Sequence, residues 1–385
     1  MRSDRIRYLG PMSLTKSLVL LLAAPILAGG VCKPTMLAGP AKLPDIRLPE
    51  GFSIALFAEN VPSVRAMTYS PDGIVYAGSN SAGAIYALPD RDHDGRADTV
   101  FTIAEGLKMP VGVAWHDGDL YFSAIHLIAK LPDPDHHLAD PPAPVTVFDG
   151  FSKETHHGWK FIGIGPDQKL YVPVGAPCNI CLSEDSVFAS ITRMNLDGTG
   201  LEIVAHGVRN TVGFDWDPRD SSLWFTDNGR DWMGDDAPSC ELDHVTAVGQ
   251  HFGYPFCHQG DTLDPEFGKG KNCADYVKPV VKLGAHVAPL GMRFYRGDMF
   301  PEKYRGAVFI AEHGSWNRSS PVGYRVSVAF PRADGTVDHE VFADGWLKGS
   351  TAWGRPVDIL ELPDGSMLVS DDAGDRIYRI TYKAP

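Results

Sequence analysis

Six times along its 385 residues the chain repeats one unit: a short strand of alternating apolar residues, a turn built on Asp-Gly or Pro-Asp, a second strand, a turn and a third strand. The copies are MTYSPDGIVYAGSNSAGAIYALPD from Met67, VGVAWHDGDLYFSAIHLIAKLPD from Val111, and IGIGPDQKLYVPVG from Ile162 with ITRMNLDG after it. They continue as VGFDWDPRDSSLWFTDNG from Val212, LGMRFYRGDMFPEKYRGAVFIAEHG from Leu290 with YRVSVAFPRADG after it, and VDILELPDGSMLVSDDAGDRIYRITY from Val357. Alternation with a period of two marks half-buried strands. One antiparallel unit of this kind cannot bury both faces, so the copies must stack radially, and the expectation is an all-β, six-bladed β-propeller. An isolated strand in LPEGFSIALFAENV, residues 48 to 61, is expected to join the last unit and close the ring, which removes its exposed edges. The insertions at 132–157, 176–190, 230–288 and 314–323 are expected to cover one mouth of the central channel, because long loops inside a compact fold usually carry function.

With 44% hydrophobic residues, 40 Gly and 30 Pro, the composition suits a turn-rich globular chain with a large core and is far from disorder. A net charge of -13 without a basic run argues against nucleic acid as a partner. Arg2, Arg5, Arg7 and Lys16 precede the apolar run SLVLLLAAPILAGG. That run is too short and wrongly flanked for a membrane span, and it ends in the small residues Ala28 and Gly30 at the spacing a signal peptidase accepts, so residues 1–30 are expected to be a secretory signal cleaved after Gly30. The mature chain would then lack a transmembrane span and be periplasmic or secreted, with a leader at 31–47 and one propeller domain at 48–385, no inter-domain linker being evident. Lipidation of Cys32 is the rival reading, and Val31 before it is a poor fit to that motif. Export permits disulfides. CNIC at 178–181 lacks the His of a haem attachment site and a second Cys pair for zinc, so a local bridge is expected there. Cys257 and Cys273 are candidates for another, although six cysteines allow 15 connectivities.

The polar residues concentrate in HGVRNTVGFDWDPRDSSLWFTDNGRD, residues 206–231. Phe214, Trp216, Leu223 and Phe225 alternate around an Asp-Pro turn, so this stretch is expected to form a β-hairpin that brings Arg209 and Asn210 beside an acidic, Gly-containing turn at neighbouring strand ends. That pairing suits an anionic ligand held beside a metal; a solvated strand end and a surface loop are the alternative. DRDHDGRAD spaces Asp90, Asp92, Asp94 and Asp98 around Gly95 as oxygen ligands of a calcium ion, or as a solvated turn, the EF-hand pattern being incomplete at Phe101. His156 and His157 precede the third unit, where a strand-end imidazole can serve as a general base. His286, Arg293, His313, Asn317 and Arg318 come from the fifth unit and its approach, and Arg355 and Asp358 from the sixth. If the insertions converge, several of these cations meet Arg209, an unfavourable crowd unless a polyanion fills it.

HHGWKFIGIGPDQKLYVPVG, HGVRNTVGFDWDP, TDNGRD, ELDHVTAVGQHFGYP, VAPLGMRFYRGDMFP and GRPVDILELPDGSMLVSDD together resemble the pyrroloquinoline-quinone-dependent sugar dehydrogenases. The resemblance spans residues 48 to 382 and is closest to the sorbosone dehydrogenase branch, beside the soluble glucose and aldose dehydrogenases. It implies a six-bladed propeller with pyrroloquinoline quinone (PQQ) over the channel and one calcium bound to it. By position, His157 matches the general base, Arg209 and Asn210 the residues near the reactive quinone carbonyl, Gly229 and Arg230 the two backbone carbonyls that hold calcium, and Arg355 an arginine at the cofactor's carboxylates. His286 and Arg318 are further cofactor-binding candidates. Three positions depart from the pattern: His156 replaces an acidic neighbour of the base, Asn317 and Arg318 stand around a usual Lys, and Val357 stands where a second Arg is common.

The implied reaction is oxidation of a sugar hydroxyl or hydrated aldehyde, of aldose or sorbosone type, by hydride transfer to the quinone, with electrons leaving to an external cytochrome or quinone acceptor. A calcium-dependent lactonase propeller, drawing on Asp227, Asp231, Asp235 or Asp371, and a non-catalytic binding propeller are the alternatives.

Overall fold

The ring is closed by its two ends. In the computed structural model, which describes residues 46–384 with Leu43 and the backbone of Thr35–Met36, strand Phe52–Glu59 pairs antiparallel with Arg376–Tyr382 from Phe52↔Tyr382 to Glu59↔Arg376. The signal segment, its cleavage point and Cys32 lie outside the described residues.

Six sheets, each built on four antiparallel strands, follow the six sequence units, and two of them gain a fifth strand: Thr35–Met36 in the first and Gln250–His251, paired parallel, in the third. Blade 1 begins with Val64–Tyr69, blade 2 with Val113–His116, blade 3 with Gly163–Ile164, blade 4 with Gly213–Trp216, blade 5 with Pro289–Phe294 and blade 6 with Pro356–Glu361. The first strand of blade 1 touches those of blades 2 and 6, and that of blade 5 touches those of blades 4 and 6, so these strands surround the axis. Apart from one-turn 3₁₀ segments, the regular structure among the described residues is all β, and no helix there is long and apolar enough to cross a membrane.

The leader does not hang free of the blades. Thr35–Met36 adds an outer strand to blade 1, pairing with Thr99 and Val100. Arg47 forms a two-pronged ion pair with Asp344 at 2.7 and 2.8 Å, and Leu43, Ile46 and Leu48 pack on the core shared by blades 5 and 6. The insertion after Pro132 likewise supplies Val145–Phe148, the outer strand of blade 2, so only its last residues reach the channel mouth.

Neighbouring blades are joined near the axis by one recurring device. A hydroxyl at the end of a blade's second strand donates to a backbone carbonyl of the next: Ser123 to Lys160, Thr226 to Leu290 and Ser370 to Arg65, at 2.7, 2.6 and 2.8 Å. These buried groups are thereby satisfied where an unpaired one would be costly. The approach is close enough that a Cβ on Gly213 would lie 2.2 Å from the Leu290 oxygen. Between blades the contact is apolar, and the closing strand contributes Phe52, which meets Phe300, Tyr304, Phe342 and Tyr382 with ring centroids 4.8 to 5.4 Å apart. Phe52→Ala should therefore destabilise the propeller by about 3 kcal/mol, read as a lower urea midpoint; an unchanged midpoint would show that this closure does not limit stability.

Candidate active site

The hairpin of blade 4 forms in the expected register, with Phe214 opposite Phe225 and Trp216 opposite Leu223. Its open end places Asp227 beside the segment 209–210. One Asp227 oxygen accepts the Arg209 amide at 2.8 Å, and the other accepts those of Asn210 and Asn228 at 2.6 and 3.0 Å. Burial pushes this carboxyl up to about 6 against those amide bonds.

The Arg209 guanidinium, itself buried, runs across the same corner. Nε donates to the Asn179 carbonyl at 2.8 Å, Nη1 to the carbonyls of Asn228 and Gly229 at 3.1 and 2.9 Å, and Nη2 to Asn179 Oδ1 and Asp231 Oδ2 at 2.8 and 3.2 Å. Asn179 sits inside the Cys178–Cys181 disulfide loop and also holds both backbone groups of Asp231. The expected local bridge is thus present and belongs to the site's support, while Cys257–Cys273 forms the second bridge and Cys240 is a buried free thiol.

His157 enters from the end of the 132–157 insertion. Its backbone is left-handed at φ 49°, and the turn that carries it is pinned by buried Lys160, whose Nζ donates to the carbonyls of Ile125 and Gly158 at 2.6 and 2.8 Å. Gly175 lets the imidazole lie close, since a Cβ there would be 2.6 Å from that of His157. Nδ1 lies 2.9 Å from the Ala176 carbonyl. A carbonyl only accepts, so Nδ1 carries the proton and Nε2 keeps its lone pair. Burial first, then Arg209 and His156, hold the His157 pKa well below the ordinary imidazole value, so the ring is neutral at pH 7.

These groups line a cavity of about 430 Å³ whose far wall comes from blades 1, 5 and 6. There Asp372 accepts from Arg65 at 2.7 Å and from His313 Nε2 at 2.8 Å. Burial alone raises the Asp372 carboxyl, but His313 and Arg65 outweigh it and hold it well below the usual range. Arg355 donates to the carbonyls of His313 and Gly314 at 3.0 and 2.7 Å and lies over the Tyr324 ring. Buried Val212, Leu290 and Val357 pack together, with Leu290 and Trp159 showing in the cavity wall, so the Val357 departure serves an apolar plug.

The structure therefore gathers His157, Arg209, Asn210, Gly229, His286 and Arg355 around one cavity, as the sequence suggested. One expectation needs correction. Arg318 does not line it: its guanidinium is drawn to the acidic turn at the rim, to the Asp235 carbonyl and Asp236 Oδ1. The Arg230 side chain is held by buried Asp264 and by Glu266, at 2.6 and 3.1 Å, with His258 on the same Asp264 oxygen, and this leaves its backbone carbonyl, the expected calcium ligand, out of the interaction. The Gly229 carbonyl, the other expected calcium ligand, accepts from Arg209 at 2.9 Å. His156 is exposed and outside the cavity wall, and Arg293 lines a different cavity with Trp115 and Trp216. Arg65, Asn80 and Asp372 also line the His157 cavity without having been singled out: Arg65 and Asn80 lie in no recognised motif, whereas Asp372 ends the GRPVDILELPDGSMLVSDD stretch.

Of the carboxylates that a lactonase centre would draw on, Asp227 is engaged by backbone amides. Asp371 accepts from Arg355, Ala373, Gly374 and Tyr378, and Asp235 is tied to Ser319. Only Asp231 of that set lines the cavity. In blade 1 the oxygens of Asp90, Asp92 and Asp94 lie within 4.8 Å of one another, as a cation site requires, whereas Asp98 accepts the Arg91 amide at 3.0 Å.

A model of the TrAA12-like family matches residues 189–383. An uncharacterized protein of Borreliella burgdorferi is 34% identical over 355 residues, covering 88% of this chain and 91% of that protein. The holo form of the pyranose dehydrogenase PQQ domain from Coprinopsis cinerea superimposes with a TM-score of 0.76 at 19% identity, over 90% of this chain and 99% of that one. The calcium structure of a family AA12 protein from Trichoderma reesei gives 0.77 at 17% identity, over 92% and 100%. At these identities the two superpositions establish the shared fold.

Beneath the cavity the third strand of blade 4 sets Glu241 opposite Asp227 and Asp243 opposite Phe225, on one buried face. Burial raises the Glu241 carboxyl to about 8, with Asp227 adding to the effect, and raises that of Asp243 as well. A carboxyl whose folded pKa is raised favours the folded state below its unfolded value, near 4.5 here, and that contribution is lost as pH climbs through 8. Glu241→Gln should thus raise the urea midpoint at pH 8 but hardly move it at pH 5. Equal shifts at both pH values would show that Glu241 folds already ionised.

Proposed function

The chain belongs to the TrAA12-like family, and from that premise we propose that it is an oxidoreductase that removes a hydride from a sugar hydroxyl or hydrated aldehyde, with PQQ as the oxidant and calcium beside it. The observation that carries this reading is His157 fixed as a neutral imidazole with Nε2 free, at a cavity that also presents Arg65, Arg209 and Arg355.

The residues fit an anionic quinone. Three guanidiniums face the cavity against two carboxylates, Asp231 and Asp372, and Arg65 Nε is buried with no partner among the described residues. Arg65 and Arg355 would hold the cofactor's carboxylates, with Arg209 and Asn210 at its reactive end. The Asn210 side-chain amide has no protein partner among the described residues and is free to donate there. The backbone carbonyls of Gly229 and Arg230, with the Asp231 carboxylate beside them, are oxygen donors of the type that suits calcium, and Arg209 already donates to the Gly229 carbonyl and to one Asp231 oxygen. When bound, the quinone supplies two-electron acceptance that no side chain can, and calcium supplies Lewis-acid polarisation of its carbonyl.

His157 Nε2 would take the proton from the substrate hydroxyl oxygen as the hydride leaves the carbon that bears this hydroxyl, while the Ala176 carbonyl keeps the ring oriented. Arg209 and Asn210 oppose negative charge growing on the acceptor oxygen, in a geometry set beforehand by Asp227 and Asn179. The electrons then pass to an external acceptor, a cytochrome or a quinone. Two disulfides and the apolar N-terminal run support action in the periplasm or outside the cell.

His157→Ala should bind PQQ, followed by absorbance titration, yet oxidise aldoses about a hundred-fold more slowly, whereas His156→Ala, at a position exposed and outside the cavity wall, should keep a kcat close to that of the wild type. Full turnover by His157→Ala would remove the base from this residue. Because the His157 pKa is depressed, the wild-type rate should hold down through pH 6.5 and fall only at lower pH, as Nε2 gains a proton. Chelation with EGTA should release the quinone together with the activity; retention of both after exhaustive chelation would place calcium elsewhere.

A further inference from the structure

Among the described residues, the exposed large aromatic side chains are Trp232 and Trp316, at 67% and 68% exposure, and they stand together, ring centroids 5.6 Å apart and perpendicular. Trp316 lines the cavity, and Trp232 follows Asp231, which lines it too. The backbone of Trp232 is left-handed, at φ 71°, a costly state for so bulky a residue and one that persists where surroundings enforce it.

The surroundings are visible. Arg318 and Ser319, just after Trp316, bond to Asp235 and Asp236, just after Trp232. His286 Nε2 lies 2.8 Å from the Gly234 carbonyl in the same loop. These polar ties lock the 231–236 and 315–319 loops against each other and hold two indoles open to water at the mouth. Apolar rings kept exposed in this way usually mark a binding surface.

Taking the proposed function as given, we infer that Trp232 and Trp316 form a second sugar subsite, which holds the neighbouring pyranose ring of a neutral di- or oligosaccharide. Size supports this. A cavity of about 430 Å³ must accommodate a fused-ring cofactor and the reacting sugar, so any further ring lies outside, on the rim. A pyranose offers an apolar C–H face to an indole and hydroxyls to polar groups nearby, here Asp231 in the cavity wall and Asp236 on the rim. Two carboxylates, Asp235 and Asp236, share the rim with Arg318, which disfavours uronic or sulfated rings.

The test compares kcat/KM for glucose with that for cellobiose, maltose and lactose, using PQQ-loaded enzyme and a dye acceptor. The disaccharide-to-glucose ratio should fall about tenfold in Trp232→Ala and Trp316→Ala, and largely recover in Trp232→Phe, as loss of an aromatic contact predicts. An unchanged ratio with all three disaccharides overturns the inference. Saturable quenching of tryptophan fluorescence by cellohexaose or maltohexaose needs no turnover. Should the wild type oxidise no sugar, the proposed function fails, while quenching that disappears in Trp232→Ala still upholds the subsite and its absence overturns it. Variants that slow only the reaction with a protein acceptor, with ratio and quenching intact, would make the pair a protein-docking surface and also overturn it.

Discussion

A guanidinium taken out of water has five N–H groups to satisfy and a charge that cannot be shed. Arg209 meets both demands with five oxygen partners drawn from the 178–181 loop and the end of the blade 4 hairpin. Removing any one of these partners leaves part of a buried cation unpaired, which is far more costly than losing a surface ion pair. The loops of blades 3 and 4 are therefore committed to one arrangement. The disulfide around Asn179 narrows the choice further, because it fixes the two acceptors on that residue.

The same cation sets the electrostatics around it. Its field joins desolvation in keeping His157 neutral, so the imidazole is a proton acceptor at pH 7 and not a third positive charge. Across the cavity the burial of His313 lowers its pKa to about 4, and Asp372 carries the negative charge between it and Arg65. The wall is thus cationic at its guanidiniums alone, fixed in place and partly unsatisfied. Such a surface suits an anion that brings several oxygens at once.

Much of this was legible because it is periodic or local. Alternating apolar residues and Asp-Gly turns gave six blades, and the hairpin at 213–227 brought Arg209, Asn210 and the 228–231 turn together by pairing alone. Arg65 and Asn80 were not legible, since blade 1 meets the other blades at the cavity only once the ring closes, and no spacing in the chain encodes that meeting. Arg318 illustrates a different limit. A cation near a cavity and a cation near an acidic turn look alike in sequence, and the nearer carbonyl and carboxylate of Asp235 and Asp236 decide between them. Trp232 lies deeper still, because no local rule predicts a tryptophan with a positive φ.

The pairing of Phe52–Glu59 with Arg376–Tyr382 has a consequence for how the chain comes to be folded. The four main strands of each of blades 1 to 5 come from successive stretches of the chain, but blade 6 must wait for a partner from the far end of the polypeptide. Until then one strand near the N-terminus and one blade near the C-terminus present unpaired backbone edges, the surfaces through which β-rich chains associate wrongly. Such long-range closure is slow because the chain entropy is lost before the contacts form. Variants that fail to accumulate should thus cluster at these two seams as well as in the core, even where the finished ring would tolerate them.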